Sequence, residues 1–264
     1  MSKIAVLIPV LNQLDDLLRT LDSVDTQSAD LEFFVVDDGS EPPIEIPPGR
    51  YSHPVNLIKL GSNSGCAFAR NVGLERIIEA DFDYVALQDA GDTDLGDRMA
   101  KQSEFLDAHP SVAVVGAWAQ YVDRAGDPLY VHKPPTNNRG IRERMPFSSA
   151  FTHPACMIRV EALREVGLYD TTYPNSSDYE MLFRITKVYE TANLPEVLIN
   201  KENNPASLSL GKRRRGLRCR LRAQLRYFDL LSVRSYLGIL ATLAFLVVPY
   251  RWIVALKQRR GFAG

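Results

Sequence analysis

The chain has 264 residues, 45% of them apolar and 24% charged, which suits one large globular domain or one domain with an appendage. Four scattered histidines and three distant cysteines, Cys66, Cys156 and Cys219, exclude zinc-ligand spacing, and the cysteines read as reduced thiols. The net charge of −1 conceals an asymmetry: residues 1–211 hold 18 Lys/Arg against 31 Asp/Glu, and residues 212–264 hold 13 against one, Asp229. Parts with opposite fields have different partners.

The apolar run Ile4–Ile8 is too short for a signal peptide and reads as a strand buried on both faces. Asn12 is placed to cap a helix whose apolar residues Leu14, Leu17, Leu18, Leu21 and Val24 fall at helical spacing. Leu31–Val36 is a second buried strand, and the proline-rich stretch Glu41–Arg50 is a surface loop. Then come a strand at Val55–Leu60, a helix at Ala67–Ala80, a strand at Tyr84–Leu87 and a helix at about Leu95–Ala108. Val112–Trp118 is a further strand, and Tyr121–Val131 a hairpin around Arg124-Ala125-Gly126-Asp127. This alternation predicts an α/β fold with a doubly wound, mostly parallel nucleotide-binding sheet over the first 120 residues.

Ligands of such sheets bind beyond the carboxyl ends of the strands, where Pro9, Asp37, Asp38, Asp89 and Asp92 fall. A carboxylate at Asp38 can accept the imide N–H of a uracil; the plain alternative is a turn, which Asp and Gly favour. Asp89-Ala90-Gly91-Asp92 suits a hard divalent cation, although Gly91 stands where a further carboxylate would help. Gly61–Gly65, leading into a helix with Arg70 and Asn71, either places amides and a guanidinium near phosphate or is an ordinary strand-to-helix loop. Asn175–Glu180 opens an amphipathic helix, where Asp178 either complements the helix dipole or serves as a general base.

In order along residues 3–208, these segments resemble family-2 glycosyltransferases of the A-type nucleotide-sugar fold. The likeness rests on Ile8–Asn12, Val35–Ser40, Gly65–Leu74, Leu87–Asp92, Arg98–Gln102, His109-Pro110, Val114–Gly116, Thr152–Met157, Val166–Asp170 and Asn193–Glu196. The resemblance implies that Pro9 and Asp38 contact the donor base with Asp37 beside them, that Asn12 is among the substrate-binding residues, and that Arg70 and Asn71 line the donor pocket. It further implies that Asp89 and Asp92 hold Mg²⁺ or Mn²⁺ and the diphosphate, and that Asp178 is the catalytic base. Two departures stand out: the family's Asp-x-Asp-Asp is Asp89-Ala90-Gly91-Asp92 here, and its Glu-Asp pair is Ser177-Asp178.

Residues 212–234 carry nine Lys/Arg, with Leu217, Leu221, Leu225 and Phe228 at helical spacing, as in a basic amphipathic helix on anionic lipid. The uncharged Ser235–Tyr250 would reach ~24 Å as a helix, short of a ~30 Å hydrocarbon core, and both flanks are basic. That pattern favours an in-plane or re-entrant anchor at the cytoplasmic face of the plasma membrane over a span. A helical hairpin packed on the catalytic domain is the alternative. No nucleic-acid recognition motif accompanies the charge.

The expectation is therefore a catalytic domain over 1–211, with a nucleotide-sugar half at 1–120 and an acceptor half at 121–211, and a membrane-associated helical tail at 212–264. Its reaction is inverting transfer from a nucleotide-diphosphate sugar, a UDP-sugar, to a lipid-linked or saccharide acceptor in surface polysaccharide (O-antigen or capsule) biosynthesis. The rivals are a degenerate, non-catalytic scaffold, which Gly91 favours, and a nucleotidyltransferase, which would need a glycine-rich basic loop that Pro9–Leu14 lacks.

Overall fold

The computed structural model describes residues 2–25, 30–203 and 210–248. Strands β1 (Ile4–Val10), β2 (Leu31–Asp37), β3 (Val55–Lys59) and β4 (Tyr84–Leu87) pair in parallel, in the spatial order β3-β2-β1-β4. β1 alternates across the pleat: Ile4, Val6 and Ile8 face one side, Ala5 and Leu7 the other. Helices α1 (Leu14–Asp25) and α3 (Arg98–Ala108) cover the first face through Leu17, Leu21, Met99 and Leu106. Helix α2 (Cys66–Glu79) covers the second through Ala69, Leu74 and Ile77. Each such leucine contributes about 1.5–3 kcal/mol on burial.

The sheet continues through β8 (Met157–Arg159), β6 (Val112–Val122), β9 (Glu190–Glu202) and the short β5 (Thr93–Asp94), with β7 (Pro128–His132) folded back on β6. The sheet is mixed rather than mostly parallel. β8 enters antiparallel between β4 and β6, and β5 and β7 are also antiparallel to their neighbours. β6 and β9 pair in parallel. The predicted separate strand and hairpin form one eleven-residue strand plus a turn, in which Asp123 accepts the amides of Ala125 and Asp127 at 2.9 Å. Helices α4 (Asn138–Arg144), α5 (Val160–Val166) and α6 (Ser177–Val188) complete the part between β7 and β9.

The predicted tail helix is α7 (Leu210–Arg226), followed by α8 (Val233–Val247). Its buried face follows the leucine stripe only in part: Leu217 packs inward with Cys219 and Ala223, Leu221 and Phe228 are half-buried, and Leu225 is exposed. Arginines expected to face lipid are engaged by the catalytic part, Arg226 with Asp170 at 2.9 Å and Arg222 over the Tyr173 ring at 4.4 Å. Gln224 donates to the Pro146 carbonyl at 2.6 Å. Acceptors and aromatic faces on α6 and its flanks outweigh simple amphipathic partitioning, so α7 packs on the domain as the helical-hairpin alternative had it. α8 instead leaves Val233, Leu237, Leu240, Leu243 and Val247 exposed, as is Leu231 in the turn before it. Among the described residues no helix is long and apolar enough to cross a membrane, and residues 249–264 lie outside them.

Candidate active site

The rim at the strand ends is held together by its own backbone amides. Asp37 is buried and accepts the amides of Ser40 and Ile44, each at 2.9 Å, so it shapes the loop after β2. Asp38 reaches across to accept the amides of Ser64 at 2.8 Å and Gly65 at 2.9 Å, just before α2. The 61–65 loop therefore spends these two N–H groups on Asp38, where the sequence had them free for phosphate. Gly39, at φ +80°, lies so close that a Cβ there would sit 2.5 Å from the Ser62 carbonyl carbon. Asn12, at φ 55°, does not cap α1: its side chain accepts the Glu41 amide at 2.8 Å and its own amide donates to Ser40 Oγ. Pro9, inside β1, is buried beside Val36 of β2.

The turn after β4 carries an alternating row of charges. Arg70 on α2 binds Asp89 Oδ1 at 2.7 Å. Lys201, near the end of β9, lies 3.5 Å from Asp89 Oδ2 and 3.0 Å from Asp92 Oδ2. The Glu202 amide donates to Asp92 Oδ1 at 2.9 Å, and Thr20 of α1 accepts the Gly91 amide at 2.9 Å, which together fix the turn. Burial opposes the charge of Asp89, but Arg70 and then Lys201 outweigh it and hold the carboxyl well below its usual range. Burial pushes the Asp92 carboxyl up to about 6 against the pull of Lys201. Lys201 is raised instead, because both carboxylates overcome its burial.

Asp89 and Asp92 do not fit a divalent cation as they stand. Their charge is already balanced by Arg70 and Lys201, and an ion bound by both would have to displace the ammonium. Among the described residues no three His, Cys, Asp or Glu side chains are grouped to hold a metal.

The part of the chain after residue 120 supplies the opposite wall. Asn71 clamps the backbone of Tyr169, accepting its N–H and donating to its C=O, both at 2.9 Å, rather than lining a pocket with a free amide. Arg70 lies over the Tyr169 ring at 5.6 Å, and the Tyr169 hydroxyl meets His153 Nε2 at 2.8 Å. Burial, then Arg70, lowers His153 to about 4, so its imidazole is neutral at pH 7. Asp178, in the first turn of α6, is half-buried and makes no hydrogen bond or ion pair with the described residues. Its field acts on Arg70, His153, Tyr169 and Cys66, and Cys66 also feels Asp38 and Asp89. Three predicted stations thus converge at the mouth of α2. Glu180 is fully buried and tied to Arg184 at 3.3 Å, Arg226 at 3.5 Å and the Tyr227 hydroxyl.

Lys201 was missed as a site residue by sequence reasoning, and His153 and Tyr169 were quoted only within motifs. No local pattern marks Lys201, which lies 109 residues beyond Asp92. A cavity of about 560 Å³ lined by Arg139, Glu143, Phe183 and Arg234 contains none of the site residues.

A sheet whose parallel half presents charged groups at its carboxyl ends, faced by a carboxylate on a second wall that has no partner among the described residues, has the layout of a nucleotide-dependent α/β enzyme. The family model described as Glycosyl transferase family 2 matches residues 5–167, and the chain belongs to that family.

A relative in Erwinia amylovora, the amylovoran biosynthesis glycosyltransferase AmsE, is 30% identical over 55% of this chain, and the match spans about half (53%) of that protein. An uncharacterized glycosyltransferase of Haemophilus influenzae is 27% identical over 88% of this chain and 80% of its own length. Residues 1–349 of S. aureus TarS, solved with UDP-GlcNAc, superpose with a TM-score of 0.64 at 19% identity, covering 91% of this chain and 71% of that one. The mannosyltransferase PcManGT of Pyrobaculum calidifontis, solved with GDP-Man and Mn²⁺, gives 0.63 at 18%, covering 99% and 75%. At these identities the structural likeness concerns the fold.

Proposed function

We propose that the chain transfers a sugar from a UDP-sugar to a hydroxyl of a lipid-linked or saccharide acceptor in surface-polysaccharide assembly, with inversion at the anomeric carbon. The observation that carries this reading is Asp178, a carboxylate without a partner among the described residues, whose field reaches Arg70 and His153 across the site. The acceptor hydroxyl gives its proton to Asp178 and its oxygen bonds to the anomeric carbon. The bond to the diphosphate oxygen breaks on the opposite face, and the electron pair leaves with the nucleoside diphosphate. One displacement by one base gives inversion.

The donor lies along the rim. Asp38 has two further acceptor positions beyond those given to Ser64 and Gly65, enough to take a uracil N–H. The UDP-GlcNAc bound to TarS supports a uridine donor, and the Mn²⁺ of PcManGT supports a metal-using relative. Here the Mg²⁺ or Mn²⁺ implied by resemblance meets carboxylates already paired with Lys201.

The exposed apolar face of α8, beside exposed Arg214, Arg215 and Arg218 of α7, supports an in-plane seat on the anionic cytoplasmic membrane, where a lipid-linked acceptor is presented. The function is tested by incubating the protein and lipid-linked oligosaccharide with a panel of nucleotide sugars, reading released nucleotide and the anomeric configuration of the product by NMR. A UDP-sugar consumed with inversion is the expected result. Nucleotide binding without turnover of any donor would instead select the scaffold reading.

A further inference from the structure

We propose that Lys201 is the resident counter-ion of the donor diphosphate, occupying the seat that a divalent cation would take in a site with a full set of carboxylates. The inference rests on the donor reading above and goes beyond it by assigning the charge that stabilises the leaving group.

Four observations converge. The Lys201 ammonium lies between the two carboxylates that would hold an ion, 3.0 Å from Asp92 and 3.5 Å from Asp89. Its position is built in, because β9 pairs Lys201 with Tyr121 of β6, and the next residue, Glu202, donates its amide to Asp92. The row Arg70, Asp89, Lys201, Asp92 is neutral as it stands, so adding two positive charges requires the ammonium to leave. The third carboxylate is also missing, since Gly91 sits at φ +102°, a backbone that an aspartate adopts only with strain. The acidic side chains beside that glycine, Glu202 with Oε2 3.6 Å and Asp16 with Cβ 3.8 Å from a Cβ placed there, are both bound to Arg19 at 2.9 Å.

The chemistry suits an ammonium. As the bond from the anomeric carbon to the diphosphate breaks, one negative charge develops on the phosphate oxygen. Lys201 has three N–H donors and spends one on Asp92, and its side chain remains 23% exposed, so a donor is left for that oxygen. Arg70 is raised by Asp89 against its burial and stays charged as the second cation. An ammonium already in place needs no metal uptake before the donor binds.

The test uses the full chain, stripped of metal. UDP affinity by calorimetry and turnover of the accepted donor should change less than about twofold between excess EDTA and added Mn²⁺. Electron paramagnetic resonance should show no tightly bound Mn²⁺. In Lys201→Met, UDP affinity should fall roughly 10- to 100-fold, as for a lost charge-assisted hydrogen bond. The two freed carboxylates should then take up Mn²⁺, restoring part of the UDP affinity. Lys201→Arg should keep more affinity than Lys201→Met. The proposal is overturned if the wild-type chain binds Mn²⁺ tightly and loses UDP binding in EDTA, measurements that do not depend on a variant folding. It is equally overturned if folded Lys201→Met binds UDP as the wild type does. Failure of the wild type to turn over any nucleotide sugar would sink the transferase reading alone, because the UDP-binding results still decide the role of Lys201.

Discussion

Asn71 on α2 holds Tyr169, 98 residues away, by both backbone polar groups of that residue: Oδ1 accepts the Tyr169 N–H and Nδ2 donates to its C=O, each at 2.9 Å. The first 120 residues and the part that follows are stapled at the place where Arg70 lies against the Tyr169 ring. Asn71→Ala removes both bonds and leaves two backbone groups partly unsatisfied, so it should cost about 1–3 kcal/mol. Chemical denaturation would show this as a lower midpoint. An unchanged midpoint would mean that the two halves are joined elsewhere.

Asp178 and Glu180 are separated by two residues and differ in environment. Asp178→Asn should lower turnover roughly 10²- to 10⁴-fold while UDP still binds. Glu180→Gln should leave the chemical step nearly intact but weaken the attachment of α7 through Arg226 and Tyr227. Limited proteolysis should therefore cut after α6 faster in Glu180→Gln. If Glu180→Gln abolishes turnover in a folded protein while Asp178→Asn does not, Asp178 is not the base.

Asp38 serves two amides at once, so its replacement should register in the loop as well as in the ligand. In Asp38→Ala the amides of Ser64 and Gly65 should lose protection from hydrogen exchange. UDP affinity should drop by about 1.5–3 kcal/mol. Lost protection with unchanged UDP affinity would make Asp38 a loop-forming residue only.

His153 links stability to pH. Burial and Arg70 hold its folded-state value near about 4, against 6.5 for an ordinary histidine. Between those values the unfolded chain binds a proton that the folded chain does not. The histidine's contribution is therefore complete above pH 6.5 and is lost as pH falls through 4. Thermal melts of wild type and His153→Gln should converge as the pH drops from 7 to 4. Parallel curves would place the histidine outside this linkage.

The exposed face of α8 predicts vesicle binding. Full-length protein should sediment with anionic vesicles and be released only in part by salt, which screens charge but leaves apolar burial. Replacing Leu237, Leu240 and Leu243 with serine should weaken sedimentation by at least roughly tenfold, at about 1 kcal/mol or more per leucine removed from lipid. Equal sedimentation of the variant would assign the binding to charge alone.

The sequence by itself determined the parallel half and its rim. Buried apolar runs such as Ile4–Ile8 and Leu31–Val36 name their strands, because a strand covered on both faces has no polar positions to confuse its period. Asp37, Asp38, Asp89 and Asp92 follow those runs directly and so were visible as a rim. Only the tertiary structure decided what each carboxylate does. Asp37 and Asp38 turned inward to amides seven and more than twenty residues away, and Asn12 left its helix for the loop at Glu41. The insertion of β8 between β4 and β6 made the sheet mixed, since three residues of strand carry no local sign of their direction. The burial of Cys219 and Ala223 instead of Leu225 depended on the surface that α6 presents to α7. Lys201 acquires meaning only through the pairing of β9 with β6, which carries its ammonium to Asp89 and Asp92. Electrostatic partners are chosen by distance in space, and a linear sequence does not contain that distance.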